Sequence, residues 1–109
     1  MARMIPFAPS LLETHCIVDA RTPLEFAEDH LPGAINVPIL TDAERVEIGT
    51  LYRQQGPQLA RIRGLELTCH RFPAIVATIA EAAKDRPVLV YCWRGGLRSE
   101  SIAMLLEMT

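Results

Sequence analysis

The run Val88-Leu89-Val90-Tyr91 constrains the fold of this chain more than any other segment. Its apolar residues follow one another without polar alternation. That pattern predicts a strand covered on both faces, and such strands belong to parallel sheets flanked by helices. A second short strand is expected at Cys16-Ile17-Val18-Asp19, ending in a charge. A third is expected at Ala34-Ile35-Asn36-Val37, closed by Pro38.

Helices fall between these strands. Thr22-Pro23-Leu24-Glu25 carries three agreeing start signals: a Thr cap, a Pro at the first helical position, and a Glu able to reach back to the cap. Pro32-Gly33 limits this helix to about three turns. Thr41-Asp42-Ala43-Glu44 repeats the capping pattern and opens a helix to about Gln55, with Val46, Leu51 and Tyr52 near one face and Gly56-Pro57 as its stop. Residues 58–69 give no clear assignment. From Phe72 the steps Ile75, Val76, Ile79, Ala80 and Ala83 trace one helical stripe. Asp85-Arg86-Pro87 turns the chain into the apolar strand. A last helix is expected from Ser99, carrying Ile102, Ala103, Leu105 and Leu106.

The order strand, helix, strand, helices, strand, loop, helix predicts an α/β domain with a mainly parallel sheet. Ligands of such sheets sit beyond the carboxyl ends of the strands. Cys92 and Asp19 both lie at such ends.

At 109 residues, the chain suits a single domain spanning 1–109. Half of it is hydrophobic, which supports a core and argues against disorder. The net charge of -2, with signs interspersed, does not suggest a strongly basic nucleic-acid-binding surface. Three cysteines without a C-x-x-C do not make a secreted disulfide scaffold, so a reducing cytoplasm is the expected location. No apolar run approaches the roughly 20 residues that span a membrane. Pro6 and Pro9 interrupt the mildly apolar start, which does not read as a signal peptide. His15, His30 and His70 show no ligand spacing with one another or with cysteines, so no metal site is expected. There is no G-x-x-x-x-G-K-[ST] phosphate loop, and no cofactor is expected within this chain.

The chemistry concentrates at Cys92. A free thiol ionises near pH 8.5, so a nucleophilic cysteine needs surroundings that favour the anion. The segment after it, Trp93-Arg94-Gly95-Gly96-Leu97-Arg98-Ser99, supplies them. A helix start follows. Gly95 and Gly96 can turn successive N–H groups inward as an anion nest. Arg94 and Arg98 add two permanent cations, and Ser99 adds a hydroxyl. Core packing does not account for that combination. Trp93 either stacks on a base or closes the pocket. Asp19 and Arg21 are candidates for an ion pair bracing the pocket floor. Cys16 reads as core. Cys69 beside His70 is a weak candidate for a second thiol, and His70 a weak candidate for a general acid.

These pieces resemble a known family. Asp19-Ala20-Arg21-Thr22-Pro23-Leu24-Glu25-Phe26, followed by His30-Leu31-Pro32-Gly33-Ala34-Ile35-Asn36-Val37-Pro38, looks like the N-terminal signature of rhodanese-like domains. Val88-Leu89-Val90-Tyr91-Cys92 looks like their active-site segment. The resemblance implies a rhodanese-like three-layer fold and a cysteine that cycles through a persulfide. Cys92 through Ser99, with Glu44-Arg45 and Gly49-Thr50-Leu51-Tyr52, is similar to the N-terminal domain of the tRNA 2-selenouridine synthase family. That implies tRNA and a selenium or sulfur donor, with selenophosphate as the selenium source, as partners and substrates. It also implies a later strand and helix and a P-loop domain. Against that pattern the chain reads as truncated after Thr109.

Two other functions compete. Cys92-x5-Arg98 satisfies the C-x5-R signature of phosphatases and arsenate reductases, in which Cys92 attacks and Arg98 binds the equatorial oxygens. Tyr91 stands where such phosphatases commonly have His. The third reading is a non-enzymatic rhodanese-like binding module.

Overall fold

A computed structural model describes residues 4–92 and 97–109. In chain order its elements are α1 (Leu11–Thr14), β1 (Cys16–Asp19), α2 (Pro23–Glu28), β2 (Ile35–Asn36), α3 (Asp42–Gln55), α4 (Pro57–Thr68), a 3-10 turn (Cys69–Arg71), α5 (Phe72–Ala83), β3 (Val88–Tyr91) and α6 (Leu97–Glu107). The three strands form one parallel sheet in the order β2-β1-β3. The expected α/β architecture with a parallel sheet is therefore present.

Both capping boxes form. Thr22 Oγ1 accepts from the Glu25 amide at 3.4 Å, and the Glu25 carboxylate accepts from the Thr22 amide at 3.1 Å. Thr41 and Glu44 repeat the pair at 3.1 and 2.9 Å. α3 stops at Gly56, whose φ of +92° is accessible to glycine with little strain. At the far end of α5, Arg86 donates to the carbonyls of Ala82 and Ala83, satisfying helix-terminal acceptors with a cation.

β1 is the central strand and all four of its residues are buried. Its neighbours in the core are Ile75, Ile79 and Ala83 of α5, Ile102 of α6, and Val37 and Ile39. Val18, Ile79 and Ile102 are fully enclosed, each contributing roughly 1.5–3 kcal/mol of apolar burial.

Several expectations need correction. β3 is only half-buried along its length, and among the described strands it pairs with β1 alone, at one edge of the sheet. β2 comprises Ile35–Asn36 alone, since Ala34 and Val37 do not extend the ladder. α4, Pro57–Thr68, takes up most of the stretch 58–69 left unassigned from sequence, with only Ala60 and Thr68 buried. Of the α3 residues expected near one face, Val46 and Tyr52 are exposed. Ala80 is exposed as well, so the buried stripe of α5 is narrower than its spacing suggested. α2 ends at Glu28, within the limit expected from Pro32-Gly33, whereas α6, Leu97–Glu107, already includes the two residues before Ser99.

α3 packs on α4, joined by the Arg63–Glu47 ion pair at 2.7 Å. Between these helices and α6 lies an open apolar groove of about 380 Å³. Ile48, Leu65, Met104 and Leu105 line it, together with Leu97 and Arg98 from the start of α6.

Candidate active site

Parallel pairing sets Asp19 opposite Asn36 on one side and Tyr91 on the other. This row forms the carboxyl ends of all three strands, where ligands of open α/β sheets bind. Cys92 is the next residue after Tyr91.

Asp19 has no solvent exposure, and a buried carboxylate is tolerated only when paired. It is paired fully. The Arg21 guanidinium donates to Oδ1 at 3.0 Å and to Oδ2 at 2.8 Å, and the Arg21 amide donates to Oδ1 at 2.9 Å. The Tyr91 hydroxyl donates to Oδ2 at 2.9 Å and accepts from the Leu31 amide at 3.1 Å. Burial acts to raise the Asp19 carboxyl, but the Arg21 side chain, the Arg21 amide and the Tyr91 hydroxyl outweigh it and hold it below its ordinary range. Tyr91 is pushed up, chiefly by burial. Asn36 Nδ2 ties the row together, donating to the backbone carbonyls of Asp19 at 3.1 Å and Arg21 at 2.8 Å. The expected Asp19–Arg21 ion pair is present, and the Tyr91 hydroxyl links it to β3, the strand that precedes Cys92.

Cys92 is half-buried. Its Sγ lies 3.3 Å from Ser99 Oγ in the first turn of α6. In this pair the Cys92 thiol donates and the Ser99 hydroxyl oxygen accepts. Leu97 is exposed. The expected roles of Trp93, Arg94, Gly95 and Gly96 lie outside the described residues. Cys16 is buried in the core as expected, whereas Cys69 and His70 are exposed.

Arg98 is engaged by an acid that sequence reasoning assigned only to a helix cap. Its Nη1 donates to Glu25 Oε1 at 2.7 Å and its Nη2 approaches Oε2 at 3.5 Å. Glu25 also faces Arg45, whose Nε is 3.4 Å from Oε1. Burial would raise the Glu25 carboxyl, but hydrogen bonds from Arg98 and the Thr22 amide, with the charges of Arg98 and Arg45, bring it down to about 2. Glu25, Tyr91 and Asn36 are the site residues that sequence reasoning missed. The capping motif accounted for Glu25 locally, and no local signal connects it with a residue 73 positions later.

A parallel sheet that presents a cysteine at the carboxyl end of an edge strand, with a polar helix start beside it, defines a cysteine-centred α/β domain. Residues 8–109 match the family described as Rhodanese-like domain, and the chain belongs to that family. It is 42% identical over 103 residues to the tRNA 2-selenouridine synthase of Cupriavidus necator, covering 93% of this chain and 28% of that protein. The protein of the same name from Pseudomonas fluorescens is 39% identical over 93 residues, with 84% of this chain and 26% of that protein covered. The chain therefore spans about a quarter of the length of these curated relatives. Among solved structures, the N-terminal domain of a putative ATP/GTP binding protein from Clostridium difficile 630 superposes with a TM-score of 0.82 at 38% identity, covering 87% of this chain and 74% of that one.

Proposed function

We propose that this domain transfers sulfur or selenium through a persulfide or selenopersulfide on Cys92. The observation that carries this reading is the placement of Cys92: directly beyond the Asp19–Tyr91 row, half-buried, with the Ser99 hydroxyl 3.3 Å from Sγ. A thiolate there attacks the outer sulfur of a donor such as thiosulfate. The new S–S bond forms as the donor's S–S bond breaks, and sulfite leaves with the electron pair. The terminal sulfur carries the negative charge that the thiolate brought. A nucleophilic acceptor then takes that sulfur and restores the thiolate.

The names of the relatives extend the reading. We propose that the domain serves conversion of wobble 2-thiouridine in tRNA to 2-selenouridine as part of a longer enzyme, with selenophosphate as the selenium donor. Its selenium attacks Sγ of an existing Cys92 persulfide, and hydrosulfide leaves with the electron pair of the S–S bond. Water takes the phosphoryl group as phosphate, leaving the selenopersulfide. The domain architecture and cytoplasmic setting expected from sequence belong to this same proposal. Among the described residues, no helix is long and apolar enough to cross a membrane.

Sulfur transfer is tested by incubating the chain with thiosulfate and cyanide and following thiocyanate release. The account expects release that Cys92→Ser removes. Equal release by Cys92→Ser would reject it. The competing phosphatase reading needs the Arg98 guanidinium on a phosphoryl group, and the Glu25 ion pair weighs against it.

A further inference from the structure

We propose that Glu25 is a positioning residue for Cys92: through Arg98 it fixes the first turn of α6, and so sets the contact between Ser99 Oγ and Cys92 Sγ. The proposal deepens the reading of Cys92 as the working thiol and rests on it. Each step is a direct link. Glu25 Oε1 accepts from Arg98 Nη1 at 2.7 Å. Arg98 is the chain neighbour of Ser99, and Ser99 Oγ accepts from the Cys92 thiol at 3.3 Å.

Apolar packing does not hold that turn by itself. Ile102, one turn further along α6, is fully enclosed in the core. In the first turn Leu97 and Glu100 are exposed, which leaves Arg98 and Ser99 as its inward residues. A helix end without an apolar anchor opens more readily than the helix body. Arg98 supplies the anchor, because a guanidinium fork on a carboxylate fixes direction as well as distance. Glu25 is itself held from two sides. It accepts from the Thr22 amide and hydroxyl, both at 3.1 Å, and Arg45 of α3 approaches it at 3.4 Å. The Glu25 and Arg98 side chains are only 13% and 17% exposed, so the pair is partly shielded from the solvent that weakens surface ion pairs. One acid of α2 thus ties the helix beside the thiol to both α2 and α3. A hydrogen bond weakens steeply as its angle closes, so a tilt of this turn is felt at Sγ.

The test keeps charge constant, because a charge gained or lost near a thiol shifts its ionisation directly. Glu25→Asp keeps the charge and shortens the reach by one methylene. The observable is the pH dependence of Cys92 alkylation by iodoacetamide, quantified on the Cys92 peptide by mass spectrometry. Thermal unfolding checks that each variant is folded. Ser99→Ala should move the alkylation midpoint by about half a pH unit, the scale of one modest hydrogen bond. Glu25→Asp should move it in the same direction by at least about half as much, and the double variant should match Ser99→Ala alone, as coupled sites require. Should Glu25→Asp not fold, Arg98→Lys carries the same prediction, since it keeps the charge and loses the fork. An unmoved midpoint in Ser99→Ala, an unmoved or opposite one in the Glu25 or substitute Arg98 variant, or shifts that add in the double variant would each overturn the proposal. Alkylation reads the thiol whether or not sulfur is transferred, so failure here is distinguishable from failure of thiocyanate release.

Discussion

Arg98 Nη1 donates to Glu25 Oε1 at 2.7 Å, joining the start of α6 to the capping box of α2. One carboxylate thereby closes the cap of α2 and ties α6 to it. The pair couples stability to the geometry of the site.

Acid should weaken this link only at low pH. The folded Glu25 carboxyl lies at about 2 against an ordinary 4.5. A depressed folded value means the stabilisation is present above the ordinary value and is lost as pH falls through the folded one. Asp19 is shifted in the same direction. Glu25 alone should account for roughly 2–3 kcal/mol lost across that acid window. Urea unfolding at successive pH values checks this. Glu25→Gln should flatten the acid dependence, and an unchanged slope would show that other carboxylates control it.

Tyr91→Phe should cost about 1–2 kcal/mol. The variant removes a hydroxyl that donates to buried Asp19 and accepts from the Leu31 amide, leaving both groups short of a partner. Chemical denaturation measures the difference. A neutral outcome would mean that water replaces the hydroxyl without cost.

Asp19→Asn should be far more damaging, by about 3–5 kcal/mol. It leaves the largely shielded Arg21 guanidinium without its counter-charge beneath the strand ends. In a domain this small, such a loss approaches total stability. Calorimetric unfolding should show a strongly lowered transition or none. A variant as stable as the parent would contradict the bracing role assigned to the pair.

Much of this was legible in the sequence where the determinants are local. Both capping boxes are contacts between residues three apart, and both form where Thr22 and Thr41 predict them. Asp19 and Arg21 are two apart, and their pairing was also legible. The apolar run at Val88–Tyr91 correctly predicted a strand. Its place at the sheet edge depends on sheet order, which the run does not encode. α4 escaped because Leu59, Ile62 and Leu65 remain exposed, so no buried stripe marks its helical period. Glu25–Arg98 escaped because its partners meet only when α2 and α6 are brought together.

The central claim is that Cys92 carries the transferred atom. Intact-mass and peptide mass spectrometry after exposure to thiosulfate, or to thiosulfate and then selenophosphate, test it most directly. The account predicts one added sulfur or selenium, located on Cys92 and absent from Cys92→Ser. An adduct on Cys16 or Cys69 instead, or one that persists in Cys92→Ser, would contradict it.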